Sequence, residues 1–509
     1  MTEALTFENI DPARRRMAMI GLAFGMLMSC LDGTIVSTCG AVIVQDLGGM
    51  ELYAWMLTGY MLSETAMIPI AGKLSDRFGR KPLFLIGLFL FIAGSVVAGL
   101  STNMGMMIVC RAVQGLGGGI LVPVAMASVA DFYSPEERGK VQGLLGAIFG
   151  IGSGLGPVVG GLICTYVSWH WVFYINIPFA VVCLLLTLKE FPMVAEHEEK
   201  RIDYTGMAVL TMLVLDILLY FQWIGDEMEF ADPRSLVMIA IALVLAAVFV
   251  FIERRAEDPV LSPKLVRNRV ILLSAVYLFL LGLCLFGMLM YVALYITMIY
   301  DYDALGCGLT MLPMVFGAMT TSVVSGILYN RTGYRFWLVL GAILITSALF
   351  LMSTMDGSGD LVPMYVYLFI FGLGMGSSLS TSMIAVQSVS SKKDVGMTTS
   401  AVSLTRNIGS TVGAALFALL IGGAMDSKFA ETVFAPLADL FGLRGTGLLS
   451  LRYMDLPDFP GVGETVIRIF GESTCWAFLI ASMIFIAAIV IALFIRDAKE
   501  GDPDGTVAG

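Results

Sequence analysis

Charge is what this sequence has least of. Of its 509 residues only 14% are Asp, Glu, Lys or Arg, against 58% hydrophobic, whereas soluble proteins carry about a quarter charged residues. A chain this apolar needs lipid around most of its surface. Hydrophobic runs longer than about 18 residues accordingly recur from end to end, the mark of membrane-spanning helices. Two histidines, His170 and His197, are too few for a His-built metal site. The eight cysteines form no C-x-x-C pair. Cys30, Cys39, Cys110, Cys183 and Cys284 lie inside apolar runs, which reads as small packing residues rather than metal or redox chemistry. There is no G-x-x-x-x-G-K-[ST] phosphate loop, so an ATP-driven machine is disfavoured. Nor is there a soluble catalytic domain, so no enzyme is expected. A cleavable signal peptide is missing too: Arg14-Arg15-Arg16 leads straight into a span too long for a signal core, which predicts an uncleaved first span.

What is present is a series of about fourteen predicted spans, from about 17–43 and 52–71 through to 397–422 and 473–495. An even number puts both termini on one side, and basic residues decide which. Twenty-three of the 30 lysines and arginines fall in one set of loops and termini, including Arg14–Arg16, the Lys73–Lys81 loop, Arg138, Lys200, Arg201, Lys264, Arg331, Lys392, Lys393 and Arg496. That side is expected to be cytoplasmic, in the cell membrane. The opposite side carries few basic residues and is acidic. Such a face concentrates cations, or serves solubility alone.

Internal repetition sets the architecture. Gly72-Lys-Leu-Ser-Asp-Arg-Phe-Gly-Arg-Lys81 is echoed 254 residues later by Gly326-Ile-Leu-Tyr-Asn-Arg-Thr-Gly-Tyr-Arg335. Gly115-Leu116-Gly117 recurs at Gly372-Leu373-Gly374, and Ile151-Gly152-Ser153 at Ile408-Gly409-Ser410, both offset by 257. One duplicated unit explains all three. Parallel repeats of six spans are the plan of the major facilitator fold. The expected fold is therefore an all-α integral membrane protein with two six-helix bundles, 17–190 and 271–495, and two inserted spans within 204–253. A cytoplasmic N-terminus (1–16), a tail (496–509) and an outer loop (426–472), read as a short hairpin over the pore mouth, complete it.

The motifs resemble those of the fourteen-span drug:proton antiporters of the major facilitator superfamily. They are Leu31-Asp-Gly-Thr-Ile-Val36, the Gly72–Lys81 loop, Arg111 with Gln114-Gly115, Gly152-Ser-Gly-Leu-Gly-Pro-Val-Val-Gly-Gly161 and Trp169-His-Trp-Val-Phe-Tyr-Ile-Asn-Ile-Pro178. Five such segments in order are specific, and the resemblance runs from about Met17 to Ile495. It implies a multidrug exporter that exchanges amphipathic, positively charged compounds for protons. The proton gradient would supply the energy, with no cofactor, no metal and no nucleic acid, and the chain would act as a monomer in the bilayer. An exporter of an endogenous metabolite or lipid-like anion is the nearest rival, and a non-transporting membrane sensor a further one.

Each motif also has a physical reading. In the loop, Gly72 and Gly79 permit tight backbone approaches, and Asp76 can pair with a basic neighbour or a helix N-terminus. Arg77, Arg80 and, nearby, Asp131 complete a charge network that would act as a gate. The resemblance makes Gly152, Gly156, Pro157, Gly160 and Gly161 an antiporter segment closing the interface between halves. Small residues let helices approach closely, and Pro157 removes a backbone donor.

Ionisable residues inside spans cost about 2.5–3.5 kcal/mol each on insertion scales and are functional candidates by default. A carboxyl that can take up and release a proton there is what a proton carrier requires. Asp32 matches the family's acid in the first span, whereas the position of Glu64 is usually small or apolar in the family; both carboxylates are expected to exchange protons, tuned by Arg111. Glu64 lies about 12 Å from Gly72 along its helix, and Asp32 about 24 Å from Arg16, at 1.5 Å per residue. Arg111 is expected to balance Asp32. Arg406 could offset a buried acid across the halves, and Asp216 is expected to make a local hydrogen bond. Trp55, Tyr60, Phe286, Tyr291, Tyr295 and Arg406 are candidates for a largely apolar substrate cavity, alongside 33 methionines, whose flexible thioethers suit promiscuous surfaces.

Overall fold

A computed structural model describes residues 10–49, 52–191, 203–224, 228, 232–261, 267–355, 361–391, 394–452, 459, 461–495 and 497. Residues 1–9, Lys200, Arg201, Lys264, Lys392, Lys393 and the tail apart from Asp497 lie outside the described residues. The helices are α1 (Pro12–Leu47), α2 (Tyr53–Phe78), α3 (Arg80–Ala98), α4 (Met104–Phe132), α5 (Pro135–Tyr166), α6 (His170–Tyr174), α7 (Asn176–Glu190) and α8 (Tyr204–Trp223). They continue as α9 (Pro233–Glu253), α10 (Arg269–Ile299), α11 (Ala304–Thr332), α12 (Tyr334–Met352), α13 (Val362–Ser388), α14 (Val395–Ala430), α15 (Ala435–Phe441) and α16 (Val462–Phe494). Their starts follow local chemistry. Asn103, Asp203, Asn268 and Asp303 accept from the first free N–H groups of α4, α8, α10 and α11. Pro12, Pro135 and Pro233 need no donor at the first helical position.

Thirteen spans among the described residues are long and apolar enough to cross a bilayer, with α6 and α7 counted together as His170–Glu190. The fourteenth predicted span, α2, is 26 residues long. Thr58, Ser63, Glu64, Thr65, Lys73, Ser75 and Asp76 make it the most polar of the series. It tolerates them because it packs between α4, α8 and α14 rather than in lipid.

Packing follows the sequence repeat. In the first half α4 holds α2 and α3, and α1 holds α5 and α7; in the second, α13 holds α11 and α12, and α10 holds α14 and α16. Gly115 and Gly372 sit at equivalent crossings. A Cβ would lie 2.3 Å from the Tyr60 carbonyl in one and 2.0 Å from the Met314 carbonyl in the other. The halves meet along α5 with α11 and α2 with α14. The inserted helices α8 and α9 pair with each other, and α8 rests on both α2 and α14.

Two expectations need correction. The described part of the segment after α14 is helical rather than a hairpin. α14 and α16 extend into it, and between them lie α15 and a 3-10 turn, Gly445–Arg452, with Leu448, Leu449 and Leu451 buried. Arg452 fastens that turn to the end of α10, donating to the Met298 carbonyl at 2.7 Å and pairing with Asp301 at 2.7 Å. The cysteines are also not all packing residues: Cys39 of α1 is disulfide-bonded to Cys164 of α5, with Cα atoms 5.9 Å apart. Their spacing of 125 residues gives no local sign of this pairing. Only the approach of the two helices creates it.

Candidate functional site

Four helices converge on Asp32, which is fully buried on α1. The Arg111 Nη1 atom, from α4, meets its Oδ2 at 2.5 Å. The other oxygen accepts from Gln114 Nε2 at 3.2 Å and from Asn176 Nδ2, on α7, at 2.8 Å. Ser95 Oγ on α3 accepts from the same two amides, at 2.6 and 3.0 Å. The guanidinium of Arg111 lies 4.2 Å from the centre of the Tyr60 ring, a cation–π contact that ties the pair to α2. An ion pair removed from water this fully survives only with such dense hydrogen bonding. Sequence reasoning found Asp32 and Arg111 but not Ser95 or Asn176. The signal for Asn176 was an amide within an otherwise apolar helix.

Glu64 stands one turn from Tyr60 on α2, half-buried. It makes no ion pair with a described residue. Arg406 of α14 is the charge that acts on it most, followed by Arg111 and Asp32. Glu64 thus joins the Asp32 cluster electrostatically to the other half.

Toward the end of the molecule rich in basic residues, α2 carries the charge network expected to act as a gate. Arg80 Nη2 meets Asp76 at 2.6 Å and its Nε meets Asp131 at 2.9 Å, while Nη1 also donates to Ser75. Asp76 then crosses to the other half. Its Oδ1 accepts from the N–H of Gly396 at 3.0 Å and its Oδ2 from that of Met397 at 2.7 Å, at the first turn of α14. A carboxylate at a helix N-terminus is the favoured sign. Gly72 makes the approach possible, since a Cβ there would fall 2.4 Å from Ser400 Oγ. Gly79, at φ +90°, turns the chain from α2 into α3, as Gly333, at φ +76°, does from α11 into α12. Asn330 replaces the acid in the second copy of the loop and donates to the Glu136 carbonyl at 2.9 Å. The charged crossing therefore exists on one side only. Arg77 lies in the last turn of α2, its guanidinium 5.9 Å from the centre of the Phe78 ring.

The glycines of α5 face two ways. Cβ atoms at Gly152, Gly156 and Gly160 would strike Cys30, Thr34 and Thr38 of α1, so this face packs within the first half. Gly161 is buried beside them and Pro157 sits inside the helix. The face toward the second half is instead Gly139, Gly143, Gly146 and Gly154, set against Tyr329, Ser322 and Val315 of α11, with Val158 against Gly308. The Gly152–Gly161 stretch thus reaches the interface through Gly154 and Val158, while Gly152, Gly156 and Gly160 pack on α1.

A family model described as Major Facilitator Superfamily matches residues 22–414. The chain belongs to that superfamily. It is 30% identical over 498 residues to "Multidrug resistance protein 3" of Bacillus subtilis (strain 168), covering 96% of each chain. It is 32% identical over 416 residues to "Multidrug transporter protein MdtP" of the same organism, covering 82% of this chain and 76% of that one. Among solved structures it resembles the human organic anion transporter MFSD10 (TETRAN), with TM-score 0.62, 15% identity and coverage of 95% of this chain and 100% of that one. The proton:xylose symporter XylE gives TM-score 0.61 at 12% identity, covering 96% and 97%. At such identities these two likenesses establish the fold alone. The chain is a multi-pass membrane transporter of this superfamily, and not an enzyme.

The aromatic candidates do not gather into one wall. Tyr60 lies buried under Arg111, and Trp55 meets Trp223 of α8 edge-on at 6.2 Å. Tyr291 stacks on Phe417 at 6.1 Å, Tyr295 is fully buried, and Phe286 is half-buried on α10. Asp216 makes no hydrogen bond to a described residue, and its Oδ2 is buried without a partner. The local bond expected of it is absent because α8 presents apolar neighbours there.

Proposed function

We propose that this transporter exports amphipathic, positively charged compounds from the cytoplasm in exchange for protons, with its basic end and both termini on the cytoplasmic face of the cell membrane. It is organised as a first bundle (17–190), an inserted pair (204–253) and a second bundle (271–495), and it needs no cofactor beyond the gradient. The observation that carries this reading is the Asp32 cluster. A buried acid whose charge is balanced one-to-one by Arg111 has two distinct states, paired and protonated. Protonation removes the counter-charge of Arg111, which rests on Tyr60 of α2, the same helix that bears Glu64 and Asp76. The proton site on α1 and α4 thus touches, through Tyr60, the helix that carries both Glu64 and Asp76. A proton on Asp32 and a cation at Glu64 would each add positive charge beside Arg111 and Arg406, and such charges repel strongly away from water. Exclusive occupancy of that kind is what makes an exchanger. Pumping of the cationic dye rhodamine 123 by proteoliposomes tests the reading. Uphill dye movement is expected only under an imposed pH gradient, and mere downhill equilibration under that gradient would overturn proton exchange.

A further inference from the structure

Midway along the seam between the halves, two buried polar atoms in one cleft lack partners. Arg406 of α14 is 6% exposed and Gln142 of α5 is 1% exposed. Among the described residues, Arg406 Nη1 and Gln142 Oε1 have no hydrogen-bond partner. Both side chains line a narrow cleft with Met126, Phe149, Met383 and Ser380, drawn from both halves. Arg406 is held in place on its other sides. Its guanidinium lies 4.7 Å from the Phe149 ring centre, and Nη2 donates to Asn407 Oδ1 at 3.2 Å. No described carboxylate stands within ion-pair distance of it. Leaving a buried donor and acceptor unsatisfied costs about 1–3 kcal/mol each, more for a charged group. A fold keeps such atoms where something else satisfies them.

We infer that Arg406 and Gln142 form a polar subsite that receives a carboxylate, or a comparable anionic group, of a substrate when the halves part. Arg406 donates a charge-assisted bond to the anion, and Gln142 accepts from a donor of the same ligand. Met126 and Met383 supply adaptable apolar walls for the body attached to it. In the present conformation the seam is drawn shut by Gly143 against Ser322 and by Asp76 against Gly396. The two atoms are therefore bare here and would be met in the opened state. With Glu64 on α2, the helix packed against α14, the preferred substrates carry both signs of charge on one apolar frame. This rests on the reading of the chain as an exporter with its substrate between the halves.

Rhodamine 110 and its methyl ester rhodamine 123 share one cationic xanthene and differ by a single carboxylate. Their binding to the purified, lipid-reconstituted protein, without any gradient, is read by fluorescence polarisation. Wild type is expected to bind rhodamine 110 more tightly. Arg406→Met should weaken rhodamine 110 about tenfold or more and rhodamine 123 less than twofold, while Arg406→Lys keeps much of the preference. Glu64→Gln should weaken both dyes alike. Equal weakening of both dyes in Arg406→Met, equal wild-type affinities, or no binding of either dye overturns the subsite. Binding with the expected preference but without gradient-driven flux would sink proton exchange and leave the subsite standing.

Discussion

Asp32 and Arg111 show how much of a residue's meaning depends on who surrounds it. An aspartate in an apolar span is costly wherever it sits, so its presence was readable as functional. Its hydrogen bonds to Gln114 and Asn176 were not, because those residues lie 82 and 144 positions away. The arrangement makes a definite forecast. Asp32→Asn retains an acceptor oxygen for the amides but can neither carry a proton nor balance Arg111. Removing one partner of a buried pair costs about 3–5 kcal/mol, and the remaining oxygen should limit the loss. The variant is expected to insert and to melt a few degrees lower, while gradient-driven efflux falls below about a tenth of wild type. Efflux rates in proteoliposomes beside a thermal melt check this, and undiminished uphill transport would remove Asp32 from the coupling site.

At the scale of helices, the proposed gate is a contact between α2 and the first turn of α14, and it is one-sided. Asp76 places a charge at that turn, whereas Asn330 at the repeated position offers only an amide to a carbonyl. A carboxylate at a helix N-terminus is worth about 0.3–1 kcal/mol at exposed sites and up to about 2 in partly buried geometries. Asp76→Asn should therefore shift the balance away from the basic-end-closed state by roughly two- to thirtyfold. Asn330→Ala should shift it far less. Electron-spin distances between labels on α2 and α14 near that end would report both populations, and identical distributions in the wild type and Asp76→Asn would reduce the loop to a topological anchor.

For the molecule as a whole, the inserted pair is more than an appendage beside two bundles. α8 lies against α2 and α14, one from each half, with Met207, Leu210, Val214 and Leu218 packed on Leu62, Ile68 and Leu404. The segment after α9 is fastened as well. Lys73 of α2 pairs with Asp258, and Glu253 accepts from the N–H groups of Val260 and Leu261 at 3.0 and 3.2 Å. Motion of α2 relative to the end of α9 must then drag or break this strap. Lys73→Asp and Asp258→Lys are each expected to loosen the basic-end-closed state, and the doubly exchanged protein to recover part of it. A double-mutant cycle on the same spin-label distances measures the coupling, and strict additivity would show the strap to be independent of the gate.

The sequence by itself determined the membrane class, the spans, their duplication and which charged residues lie within them, because hydropathy, glycine spacing and the cost of charge in lipid are local properties. It also located the inserted pair, since the repeat offset exceeds six spans. Only the tertiary structure decided which face each residue presents. Gly152, Gly156 and Gly160 turn to α1 while Gly154 turns to the other half, a difference of two positions that no motif spells out. The same holds for the Cys39–Cys164 bond, the crossing of Asp76 onto α14 and the bare atoms of Arg406 and Gln142. Each depends on the rotation of one helix against another far away in sequence, and that rotation is set by the packing of all the helices at once.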